Sequence, residues 1–166
     1  MSDDDLVRVS RHYRQRGVIV DTNLLLLLLV GSVDSALILK YKRTHNRAFT
    51  VEDYKTLLRL LAMFDIIVTT PHILTETCNF LFQIKENYGR SVALAFAKFV
   101  VGCRERRPES RRLVNADGFL KIGLTDASIL DVKPRRYLVV SVDAELVNRL
   151  RYRGVDAINF NHLRKL

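Results

Sequence analysis

The residues best suited to chemistry in this chain are carboxylates far apart in sequence: Asp21, Glu76, Asp126 and Asp143. Asp21 closes the short apolar run Val18-Ile19-Val20, and Asp143 comes just after the run that ends at Ser141. Glu76 lies amid Ile73, Leu74, Phe80 and Leu81, a poor setting for an ordinary solvated acid. Asp126 opens a short segment that Thr125 can cap. Clustered carboxylates raise one another's pKa unless cations intervene. Oxygen-only ligands select hard ions, so Mg²⁺ or Mn²⁺ is expected rather than Zn²⁺. Such ions position and activate water and stabilise a leaving oxygen, which suits phosphodiester hydrolysis. Each acid alone has a structural alternative: Asp21 can satisfy backbone donors after a strand, and Asp126 can answer a helix dipole. Placement on one edge is what makes the four informative.

The elements that would place them follow from hydrophobic pattern. Val18 to Val20, Ile66 to Thr69, Tyr137 to Ser141 and Val155 to Phe160 read as buried strands. Helices are expected over 24–38, over 51–64 behind a capping box of Thr50 and Asp53, and from Pro71 to Tyr88 with Gly89 as the stop. Further helices are expected over 91–105, 126–132 and 144–153. Arg11 to Arg16 reads as a basic lead-in, Lys40 to Arg47 as a basic loop, and 106–118 as polar and undefined. Alternating strands and helices predict a single α/β domain over 1–166, a three-layer α/β/α sandwich on a mostly parallel sheet. In such a sheet the carboxyl ends of the strands share one edge, where ligands bind.

The chain of 166 residues suffices for one core, and 48% hydrophobic content argues against disorder. Its net charge of +9 fits a polyanionic partner such as nucleic acid, and equally a solubilising excess or an acidic protein partner, and identifies no site. Arg11 to Arg16 and Lys133 to Arg136 precede strands and should lie opposite the carboxylates. Lys42, Arg43, Arg106, Arg107, Arg111 and Arg112 are the expected phosphate contacts, provided their loops fold back toward the acids. Cys78 and Cys103 lack CxxC spacing and read as buried free thiols. His72 reads as an ordinary helix-start residue, while Asn79, a turn beyond Glu76, could hydrogen-bond the acidic cluster. Asp131 and Asp156 read as solvated or capping residues. The apolar run Leu24 to Val30 is too short to span a bilayer, and the opening Ser2-Asp3-Asp4-Asp5 lacks a basic n-region, so a cytoplasmic location is expected.

Gly17-Val18-Ile19-Val20-Asp21-Thr22-Asn23 resembles the opening strand and first acidic motif of PIN domains. Thr70 to Glu76 is similar to their second motif, Gly123 to Ala127 to the third, and Val140 to Asp143 to the fourth. The resemblance runs from about Gly17 to Phe160 with the motifs in family order. It implies a five-stranded parallel sheet, Mg²⁺ or Mn²⁺, and ribonuclease activity of the VapC-like toxin kind. It also implies that Asp21, Glu76, Asp126 and Asp143 bind metal and act in catalysis. Asn23 and Ser141 match polar positions that support the family's site, and Thr22, inside the first motif, is grouped with them. The chain exceeds the compact toxins in length around 40–47 and 104–118. RNA is the expected partner; an antitoxin over the basic rim and a homodimer are further expectations, with the leucine run open between a dimer interface and the core. The alternative is a non-catalytic nucleic-acid-binding or partner-regulated module on the same fold. HAD-type phosphatases need a second aspartate where this chain has Asn23, and receiver domains need paired acids and a late lysine that are not evident.

Overall fold

Short runs of β-branched residues flanked by longer apolar-faced segments give alternating strands and helices in the computed structural model, which describes residues 3–84, 86–115 and 119–164. The chain runs through α1 (Asp3–Tyr13), β1 (Val18–Val20), α2 (Thr22–Val33), α3 (Leu37–Lys40), α4 (Lys42–Asn46) and α5 (Val51–Leu61). It continues with β2 (Ile67–Thr69), α6 (Pro71–Leu81), α7 (Gly89–Gly102), β3 (Arg104–Glu105) and α8 (Ser110–Leu113). The last part comprises α9 (Phe119–Leu130), β4 (Leu138–Ser141), α10 (Ala144–Tyr152) and β5 (Ala157–Asn159). The five strands form one all-parallel sheet in the order β3-β2-β1-β4-β5, with helices on both faces: an α/β/α sandwich. Val18 pairs with Ile67 on one side and Leu138 on the other. The winding direction therefore reverses between β1 and β4, where a crevice opens at the carboxyl edge.

The leucine run belongs to the core. Leu24 to Leu27 and Leu29 are all buried, as a helix apolar around its whole circumference requires. Helix α2 packs against α5, α6 and α7. A Cβ on Gly31 would fall 2.5 Å from the Tyr54 ring, so the absence of a side chain there lets α5 approach.

Several elements depart from expectation. The helix over 24–38 stops at Asp34, whose extended backbone and side chain, accepting from Ala36 N at 2.9 Å, turn the chain. Lys40 to Arg47 is not a loop: α4 forms there, and the buried Thr44 hydroxyl donates to Ile38 O and Tyr41 O. Helix α6 ends at Leu81 because Gln83 N and Ile84 N close tight turns onto Phe80 O and Leu81 O. Gly89 then begins α7 instead of stopping α6. Arg104 and Glu105, expected in a helix, pair with β2 as the edge strand. The first half of the basic lead-in, residues 11–13, is the last turn of α1, anchored by buried Tyr13, whose hydroxyl donates to Asp156 at 2.6 Å. Asp156 is thus a docking partner for α1. The segment 106–118 includes α8, while residues 116–118 lie outside the described residues. The capping box of Thr50 and Asp53 is present as expected. Cys78 and Cys103 are free and only half-buried. Among the described residues no helix is long and apolar enough to cross a membrane.

Candidate metal centre

Asp21 is the first residue beyond β1 and caps α2, so its position is set by both elements. Its Oδ1 accepts from Leu24 N at 2.8 Å. Its Oδ2 accepts from Val142 N at 3.0 Å and from the Ser141 hydroxyl. Burial pushes its pKa above the ordinary carboxylate value, opposed by the Ser141, Leu24 and Val142 hydrogen bonds and then by the Arg47 charge. These contacts cross from β1 to the end of β4, where the winding reverses.

Glu76 is carried on α6, which Thr70 caps by accepting from Ile73 N at 3.3 Å. Its Oε2 accepts from Thr22 Oγ1 at 2.5 Å, tying α6 to the start of α2. Asp143 caps α10: Oδ1 accepts from Glu145 N at 2.8 Å and Leu146 N at 3.1 Å. Its own N–H donates to Ser141 Oγ at 2.9 Å. Asp126 follows a break in α9 at Gly123, where φ is 75° and ψ 179°. Its pKa is raised from 3.8 to about 6, by burial first and then by the charges of Asp143, Asp21 and Glu76.

These acids line one pocket of about 210 Å³ together with Thr22, Asn23 and Ser141. Phe80 and Leu146 form part of its wall, and Arg43 and Arg47 enter it from the α4 segment. Among the described residues, no three acidic, histidine or cysteine side chains close around a single ion-sized point. The oxygen-only donor set and the mutual charge acting on Asp126 nevertheless suit a hard divalent ion held by one or two carboxylates, with water filling its shell, as Mg²⁺ commonly is. Glu76 Oε1, Asp143 Oδ2 and both Asp126 oxygens accept no hydrogen bond among the described residues and are the available ligands.

Other candidate residues fall elsewhere. Asn79 is exposed and does not line the pocket, and neither does exposed Lys42. Arg106 and Arg112 converge on half-buried Asp131, at 2.5 and 2.6 Å, so Asp131 is an ion-pair hub rather than a solvated or capping residue. Arg107 pairs with Glu105 at 3.1 Å, and Arg111 is exposed on α8. Of the six basic residues singled out from sequence, only Arg43 lines the pocket. His72 Nε2 meets Ser110 Oγ at 3.0 Å, outside the pocket, and burial lowers its pKa.

Sequence reasoning missed Arg47 and Phe80. Read as a helix, the α4 segment puts Arg43 and Arg47 on one side, since residues four apart are neighbours. Read as a loop, it carries no such signal. A larger cleft of about 570 Å³, bordered by α2, α5 and α7, is mostly apolar and contains none of the four carboxylates. Its titratable groups are Asp65, Lys98 and Cys103. Comparison of the chain with family models, with curated proteins and with solved structures returned no match.

Proposed function

We propose that this chain is a metal-dependent endoribonuclease of the PIN type, acting in the cytoplasm. The observation that carries the reading is the convergence of Asp21, Glu76, Asp126 and Asp143 on one pocket that also admits two arginines. Acids alone would repel a phosphodiester; acids with bound cations and neighbouring guanidiniums attract one. A divalent ion bound there supplies an activated water and neutralises charge on the phosphate.

The chain's own groups have separable tasks. Asp21 is held by three donors and gives a fixed anionic floor. Thr22 aims Glu76 by occupying one of its oxygens. Asp126, buried among the other acids, leaves both of its oxygens for a cation or that cation's water. Asp143 presents the oxygen that its helix cap leaves over.

The test is cleavage of a panel of RNA and DNA strands in Mg²⁺, Mn²⁺ or EDTA. Cleavage of RNA in either metal and its loss in EDTA are expected; full activity in EDTA would sink the reading. Asp21→Asn should abolish cleavage, but its amide must face a donor now aimed at a carboxylate oxygen. Asp126→Asn is the cleaner variant, since no protein donor is lost, and it should be inactive while still unfolding in a single cooperative transition. A toxin role is a narrower form of the proposal: induced expression should arrest growth, and the Asp126→Asn chain should not.

A further inference from the structure

One of the two pocket arginines, Arg47, stands on a support that belongs to the last turn of the described chain. Arg164 donates from Nε to Asp53 Oδ1 at 3.1 Å, and its Nη2 lies 3.0 Å from Asp53 Oδ2. The same guanidinium donates to Ala48 O through Nη2 and reaches Arg47 O at 3.5 Å through Nη1. It also sits 5.3 Å from the centre of the Phe49 ring. Asp53 is buried, and its Oδ2 accepts from Thr50 N at 2.8 Å. Arg164 therefore grips the backbone of residues 47–48 and the cap of α5 together.

That grip falls where the chain needs it. Ala48 adopts φ 49°, a left-handed conformation that a residue with a Cβ resists. Holding its carbonyl fixes the turn that delivers Arg47 into the pocket. Arg43, four residues earlier, is fixed differently: its guanidinium lies 3.8 Å over the Phe80 ring. Among the described residues neither Arg43 nor Arg47 lies in a salt bridge, although four carboxylates share their pocket. Their donor forks are therefore open to an incoming group. A phosphodiester's two free oxygens match such a planar fork.

We propose that Arg47 holds the nucleic-acid phosphate opposite the carboxylates, and that Arg164 is a positioning residue that sets Arg47 by fixing the carbonyls of residues 47 and 48. The identity of the ligand as nucleic acid rests on the nuclease reading; the mechanical link between Arg164 and Arg47 does not.

The experiment measures binding of a short fluorescent single-stranded RNA of mixed sequence, titrated with salt. It uses the full chain in Mg²⁺ and carries Asp126→Asn so that the probe is not consumed. Arg47→Gln should weaken binding roughly tenfold and flatten the salt slope by about one. Arg164→Lys keeps the charge but loses the fork; it should weaken binding in the same direction, and add nothing once Arg47 is Gln. Unchanged affinity and slope in Arg47→Gln overturn the proposal. So does an Arg164→Lys loss that persists in the Arg47→Gln background, because it would then be a general structural effect. Arg47→Gln touches no core contact, so it remains informative even if Arg164→Lys lowers the melting temperature. Wild-type cleavage is assayed in parallel. Arg47-dependent binding without cleavage retains this inference and defeats the nuclease reading, and cleavage with Arg47-independent binding overturns this inference alone.

Discussion

Asp126 differs from the other three acids in accepting no hydrogen bond among the described residues, and its titration follows from burial first and then from the charges of Asp143, Asp21 and Glu76. Its folded pKa of about 6 exceeds the ordinary 3.8, so the folded state holds this proton more tightly than the unfolded chain does. The stability it contributes is complete below 3.8 and is lost as pH rises through about 6. Metal-free protein should therefore melt lower at neutral pH than this group alone would permit near pH 3.8, and Asp126→Asn should recover the difference at neutral pH only; thermal scans across pH check it. Ser141 makes the opposite kind of contribution. Its hydroxyl and its neighbour's N–H hold a buried carboxylate, so Ser141→Ala should cost about 1.5–3 kcal/mol, read by urea titration. Asp21 and Asp143 were legible in sequence because they follow apolar strands. The Ser141–Asp21 bond was not, since it joins positions 120 residues apart that only sheet pairing brings together.

Elements were legible where one local interaction decides them. The Thr50 and Asp53 pair announces α5 through spacing alone, and Thr50→Ala should cost about 1 kcal/mol in the same titration. Pro71 likewise marks the start of α6. The unread boundaries depend on distant partners. Asp34 ends α2 inside an apolar stretch and also accepts from the Tyr88 hydroxyl at 2.9 Å, a residue 54 positions away. Gly89 looks like a helix stop until the turn held by Tyr88 makes it a helix start. The α4 helix is short and polar, so no periodicity betrays it, and with it went the pairing of Arg43 and Arg47. Close packing adds a prediction here: Gly31→Val would drive a side chain into Tyr54 and should destabilise by about 1–3 kcal/mol.

For the whole molecule, the sheet separates the clustered acids from a basic rim by edge. Arg16 donates to Arg135 O at 2.7 Å, so the basic segments preceding β1 and β4 do meet, on the side away from the carboxylates. Of the basic residues that make up the net charge of +9, only Arg43 and Arg47 line the pocket. A cation that binds only the folded carboxyl edge must stabilise the whole sheet through linkage. Saturating Mg²⁺ or Mn²⁺ should raise the urea midpoint without changing the slope, and Asp126→Asn should reduce that gain. The fold class was readable because alternation is a property of the whole chain; the strand order was not, because periodicity says nothing of neighbours. Asp21 links these scales, since it caps the buried α2 and also floors the pocket. Its two duties would leave a trace in descent. If the pocket cleaves RNA as proposed, a lineage released from that selection would let Asp126 drift freely, yet would keep Asp21 for the sake of its fold. An aspartate at that position in a distant descendant would therefore testify to ancestry, and Asp126 would be the residue to inspect for the proposed activity.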